Sequence, residues 1–353
     1  MKSNLSIFLL KGNSRNMPSY KITERDSEII TYLKGIAIFL VVFDHCFSYY
    51  SRIYELTVGL NTLLVMVRYV HMPLFFVISG FLCHKQNVLD FYKKKLTRVL
   101  VPFVFFSILK LVFSNLVANE FVHRDSLSGQ LYDSFILGEG YWFAYAICLI
   151  YLVAPFFWND QNTSKEGTPP WRAIIGVVFI VIFNALYYGM NWHFLKIIFQ
   201  FRNAVLYLPY FLCGYIIRFY FSALKKWYSK KKWLVLPLSA LIITAVTFLE
   251  VMNIRINSFT TKFIVSFPLM LFILLFCSIL PNKIMILLNA GKYSWQVMLL
   301  DALYKAILFA LLSKFLSIKP LYVCIITVID YMFGILTSLI CRRIPVLKSC
   351  MGL

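Results

Sequence analysis

Lys34 and His45 stand eleven residues apart in the stretch YLKGIAIFLVVFDHCF, and Asp44 directly precedes the histidine. At 100° per residue, eleven positions make almost three turns of a helix. A lysine and an imidazole at this spacing leave the helix on one face, about 16 Å apart along its axis. An imidazole with an ordinary pKa of about 6.5 keeps a neutral fraction at physiological pH and suits a general base. A charged Asp44 in contact with it would stabilise the imidazolium. Neighbouring helical residues point about 100° apart, however, so the sequence does not dictate that contact. Lys34 fits two readings, a side chain snorkelling to an interface and a cation held for an anionic ligand.

Two further stretches carry similar groups. In HMPLFFVISGF, His71, Phe75 and Ser79 recur every four residues and form one helical stripe. Pro73 leaves a backbone carbonyl without its helical donor, which only protein or a polar cavity can satisfy. Gly80 removes a side chain and admits a close neighbour, either a helix or a ligand. In YKKKLTRVLVP, Tyr92 to Pro102, three lysines lead to Arg98. Such a cluster serves topology and anionic-lipid contact, while the planar guanidinium also suits bidentate binding of phosphate. Spacing does not choose between these roles.

The elements that must position these groups are apolar. Of the 353 residues, 60% are hydrophobic and 14% charged, where a soluble domain carries about 25% charged residues. Mean hydropathy is +0.75. Apolar runs of about twenty residues recur along the chain, too long for core strands and right for a bilayer span. Ten spans are expected, at roughly 29–50, 60–83, 99–118, 141–158, 173–190, 203–222, 233–251, 263–280, 286–312 and 320–341. The fold class is an all-α polytopic membrane bundle, with 1–28 and 342–353 as cytoplasmic tails around one transmembrane domain, 29–341. The ninth span is the least regular, interrupted by Lys292, Asp301 and Lys305. No cleavable leader pattern is expected at the N-terminus.

The net charge of +20 does not indicate a nucleic-acid partner, because the basic residues bracket apolar runs. With the N-terminus inside, 22 of the 35 Lys and Arg residues fall in cytoplasmic segments and eight in outer ones. The positive-inside rule then places both termini in the cytoplasm. The eight cysteines are scattered, without a CxxC pair, and read as small buried hydrophobes, so neither a disulfide framework nor a metal site is expected. Ionisable groups inside a span cost about 2.5–3.5 kcal/mol each at the centre on insertion scales, which makes His45 a functional candidate in its own right.

Taken together, these segments resemble the acyltransferase-3 family of integral membrane acyltransferases, and the His71-Met72-Pro73 prelude resembles its branch acting on sugars. The family's first span carries a basic residue, ten residues and then histidine. Lys34 and His45 keep that spacing, with lysine in place of the more usual arginine. Phe76, Ser79, Gly80 and Phe81 match the family's F-x-x-S-G-F segment, and the basic cluster leads into Arg98 and Pro102 as family members do. YWFAYAICLIYLVAP is similar to a Trp-Phe segment of a middle span, and LYLPYFLCGYII and AGKYSWQVMLLD to later ones. Asp301 stands where many members carry histidine or glutamine; pairing with Lys305, four residues on, is one alternative for it.

The resemblance implies O-acyl transfer, commonly of acetyl, from cytoplasmic acyl-CoA to a hydroxyl of a cell-surface glycan or glycolipid, in the inner cell membrane. Acetyl-CoA is then a donor substrate, and no bound cofactor is expected. The expected roles are catalysis by His45 with Asp44 and donor binding by Lys34, Arg98, Ser79 and Gly80. His71 and Trp142 would bind the acceptor or stabilise the oxyanion. The histidines and the Ser-Gly pair are expected to line one cavity leading the donor toward the acceptor. A secondary transporter or exporter of a lipid-linked or small sugar is the rival, since intramembrane charges and broken helices near Pro73 and Pro209 suit that class too.

Overall fold

The computed structural model describes residues 22–52, 54–116, 126–138, 140–158, 170–189, 198–251, 258–313 and 319–353. The expected N-terminal tail, up to residue 21, lies outside them. Among the described residues every regular element is a helix. The order is α1 (Glu24–Tyr50), α2 (Val58–Phe81), α3 (Val88–Leu116), α4 (Leu127–Tyr132), α5 (Trp142–Val153), α6 (Trp171–Gly189) and α7 (Phe201–Phe219). There follow α8 (Phe221–Val251), α9 (Ser258–Ile279), α10 (Met285–Lys292), α11 (Ser294–Ser313), α12 (Pro320–Cys341) and α13 (Pro345–Cys350). Six segments among the described residues are long and apolar enough to cross a membrane: Glu24–Tyr50, Val58–Phe81, Leu127–Phe157, Lys262–Ile279, Ser294–Leu312 and Pro320–Cys341.

α1 is the hub. A capping box starts it: the Thr23 hydroxyl accepts from the Asp26 amide while the Asp26 carboxylate accepts from the Thr23 amide. Glu24 and Asp26 add negative charge where the helix dipole is positive. Further along, Ala37, Ile38, Val42, Cys46 and Phe47 are fully buried, because α2, α9, α10, α11 and α12 all pack around this helix.

Small residues set the closest approaches. A Cβ on Gly80 of α2 would collide with the Phe211 carbonyl of α7, and one on Gly214 of α7 with the Val77 carbonyl of α2. Gly291 of α10 meets the Thr31 carbonyl of α1 in the same way. Backbones in contact gain dispersion where lipid supplies no hydrophobic drive between helices. Pro73 stays inside α2, and the carbonyl it deprives of a donor, that of Tyr69, lies 2.5 Å from the Ser266 hydroxyl of α9.

The expected ninth span, 286–312, is two helices. Tyr293 leaves helical geometry at φ −106° and ψ 19°, separating α10 from α11. Its hydroxyl accepts a 2.8 Å hydrogen bond from Arg342, and Gly291 is held on α1, so the chain turns here to follow α1 before α11 begins. The basic stretch before the third expected span is itself helical, since α3 starts at Val88. The C-terminal residues fold back: buried Met351 joins Phe103 and Phe106 of α3, and its carbonyl accepts from Gln296 at 2.8 Å. Exposed apolar side chains such as Ile175, Phe179 and Ile182 on α6 and Val328 and Leu336 on α12 cover the outside, as lipid contact requires.

Candidate active site

α1 and α2 are joined by a short turn and pack against each other, and the Arg68 Nε donates to the Asp44 carboxylate at 2.7 Å. Arg68 also donates to the Ser48 hydroxyl at 2.8 Å. Asp44 is thus engaged by α2, and the carboxylate that meets His45 comes from another helix. His45 Nδ1 lies 2.7 Å from Asp301 Oδ2 of α11, and the Lys305 ammonium reaches the same oxygen at 3.2 Å. The anticipated Asp301–Lys305 pair forms, and it holds the imidazole as well.

This arrangement fixes the tautomer. A carboxylate accepts, so the neutral imidazole donates its Nδ1–H to Asp301 and keeps the Nε2 lone pair free. The His45 side chain is 34% exposed and Asp301 2%, so the ring opens toward space while its anchor is buried. That space is a cavity of about 680 Å³, walled by residues of α1, α2, α3, α4, α5, α7, α9 and α11. Asp44, His45, Arg68, His71, Trp142, Asp301 and Lys305 all line it. His71 Nδ1 lies 2.6 Å from the Val67 carbonyl, so its neutral ring also presents Nε2 as an acceptor. Trp142 stacks on Tyr207 (5.3 Å, 27°), and Tyr207 stacks on Phe76 (4.6 Å, 12°), forming an aromatic wall. Lys262 donates to the Tyr207 hydroxyl at 2.7 Å.

The other sequence candidates gather at the N-terminal half of α1. Lys34 lies within electrostatic reach of Lys95 and Arg98. The Lys95 ammonium sits over the ring of Tyr151 of α5 at 5.2 Å. Among the described residues no carboxylate forms an ion pair with Lys34, Lys95 or Arg98. Gly80 faces α7 backbone, the helix-packing option. The described lining of the cavity reaches Val41 and includes none of Lys34, Ser79, Gly80 or Arg98. Buried Ile38 lies between Lys34 and His45 along α1, and partly buried Phe75 lies between His71 and Ser79 along α2. The cavity therefore takes in the His45 end of the Lys34–His45 face and not the Lys34 end.

Sequence reasoning passed over Arg68 and left the role of Asp301 open. Arg68 was open to it, because an intramembrane arginine needs a carboxylate at its own depth and the antiparallel pairing points to Asp44. Asp301 was open only in part, because Lys305 at i+4 is visible but the helix it faces is not.

The bundle thus combines helices long and apolar enough to cross a membrane with an imidazole held by a buried carboxylate at the wall of a cavity. The acyltransferase domain of the acyltransferase-3 family matches residues 28–341, and the chain belongs to that family; it is a membrane acyltransferase. No curated protein and no solved structure matches the chain.

Proposed function

We propose that the chain moves an acetyl group from cytoplasmic acetyl-CoA to a hydroxyl of a cell-surface glycan or glycolipid. It does so from the inner cell membrane, through ten spans with both termini in the cytoplasm. The observation that carries this reading is the 2.7 Å contact between His45 Nδ1 and Asp301 at the wall of the cavity. At about 680 Å³ the cavity falls within the range of about 300–1,000 Å³ typical of small-ligand sites.

In this mechanism the acceptor hydroxyl enters the cavity and hydrogen-bonds His45 Nε2. His45 takes its proton as the oxygen attacks the thioester carbonyl carbon. The carbon–sulfur bond breaks, the imidazolium returns the proton to the departing CoA thiolate, and the acyl group remains as an oxygen ester. Asp301 holds the ring in the required tautomer and stabilises the imidazolium while it exists. His71, whose Nδ1–H is committed to Val67, offers Nε2 to a second acceptor hydroxyl and so suits positioning better than oxyanion stabilisation. Trp142 presents an apolar ring face to the sugar. Asp44 acts on Arg68 and not on the imidazole.

Lys34 and Arg98, with Lys95 beside them, hold the phosphates of the donor, and Ser79 sits along its arm. Three cations without a carboxylate partner among the described residues suit an anionic ligand. The test is transfer of labelled acetyl from acetyl-CoA by the purified chain with no ion gradient, paired with mass spectrometry of surface glycans from cells lacking it. Gradient-free transfer and loss of acyl mass are expected. Sugar movement that needs a gradient, with no acetyl transferred, would replace the enzyme by the transporter.

A further inference from the structure

Behind Asp301 lies a second carboxyl that the mechanism above does not use. Asp330 of α12 is fully buried, and among the described residues neither of its oxygens has a hydrogen-bond donor. Asp301 Oδ1 has none among them either, although Oδ2 has two. Ligand atoms of Asp330, Asp301 and Cys46 all lie within 4.8 Å of one another. Two carboxylates facing each other in a dry interior, each with an oxygen lacking a donor, are satisfied together by one proton placed between them.

We propose that Asp330 is a positioning residue that keeps a proton and donates it to Asp301 Oδ1, aiming Oδ2 at His45. The inference rests on the role given to His45. The charged and titratable groups around Asp330 bear it out. α1 contributes Cys46 and His45, and α11 contributes Asp301 and Lys305. α13, with Lys348, begins about four turns beyond Asp330 along the chain. One ammonium, that of Lys305, balances one carboxylate. A protonated Asp330 leaves the set neutral and the imidazole with its lone pair. A charged Asp330 would add a second buried anion that draws His45 into the imidazolium form, which has no lone pair to accept a proton. A metal ion bound by Cys46, Asp301 and Asp330 would face the Lys305 ammonium beside Asp301, which disfavours that alternative.

The experiment compares Asp330→Asn with Asp330→Leu in the full chain. The asparagine amide is isosteric, neutral and a donor to Asp301 Oδ1, whereas leucine gives no donor. Acetylation of the cells' own surface glycan, at matched protein level, should stay within about three-fold of wild type in Asp330→Asn and fall about ten-fold or more in Asp330→Leu. Independently of turnover, the infrared spectrum of the purified wild-type chain should contain a carboxylic-acid carbonyl band that Asp330→Asn lacks. An Asp330→Asn variant as impaired as Asp330→Leu, an Asp330→Leu variant with full activity, or no difference in the acid band would each overturn the proposal. Because the infrared readout needs no transfer, failure of the acetyl-transfer reading is distinguishable from failure of this one.

Discussion

The two ends of α1 handle charge in opposite ways. Around His45, charges come in matched sets drawn from three helices: Asp44 with Arg68, and Asp301 with Lys305 and the imidazole. Around Lys34, three cations from α1 and α3 crowd together with no described carboxylate to answer them. A buried charge costs several kcal/mol, and the first end recovers much of that cost inside the protein. The second end leaves it outstanding, which is tolerable where a ligand or the membrane surface supplies the anion. Under the proposed function, the first end is ready for chemistry as it stands, and the second is completed by the ligand it binds.

Breaking the first end should have the largest effect. His45→Ala removes the base while leaving Asp301 paired with Lys305, and surface-glycan acetylation at matched protein level should fall about a hundred-fold or more. Undiminished acetylation would remove His45 from the chemistry. Breaking the second end should show up in binding instead. Lys34→Ala combined with Arg98→Ala should weaken acetyl-CoA binding about ten-fold or more, raising KM with little change in kcat. Unchanged binding would move the donor elsewhere.

Smaller effects sharpen the contrast. Arg68→Met strands the Asp44 carboxylate and should cost about 1–2 kcal/mol of stability, reduced from a fully buried pair because the arginine is partly exposed. Adding Asp44→Asn should return part of that loss in a thermal unfolding cycle, and strict additivity would count against the pair. The smallest change is Ser266→Ala, which should cost about 1 kcal/mol by removing the donor near the Tyr69 carbonyl, with transfer unaffected. In a Pro73→Ala background, where the helix supplies its own donor, the same substitution should cost less.

The helices themselves were legible in the sequence, because long apolar runs leave few alternatives: each of the ten expected stretches overlaps helix among the described residues, which contain six segments long and apolar enough to cross a membrane. The common face of Lys34 and His45 was legible too, since it is a property of one helix. What depends on which helix faces which was not. Asp44 is adjacent to His45 in the chain, yet α1 turns it toward Arg68, and the partner arrives from a residue 256 positions away. The break at Tyr293 was only hinted at by Lys292 in an irregular span, while the cause is the hold of α1 and Arg342 on either side. Asp330 escaped for a similar reason. A lone aspartate in an apolar helix announces that it needs a partner without saying where one is.

Gly80 and Gly214 bear on how the bundle can move. Each lets a carbonyl of the opposing helix occupy the volume of a missing side chain, so a slide of α2 along α7 by one residue would drive a Cβ into main-chain atoms. The two helices therefore travel as one rigid plate.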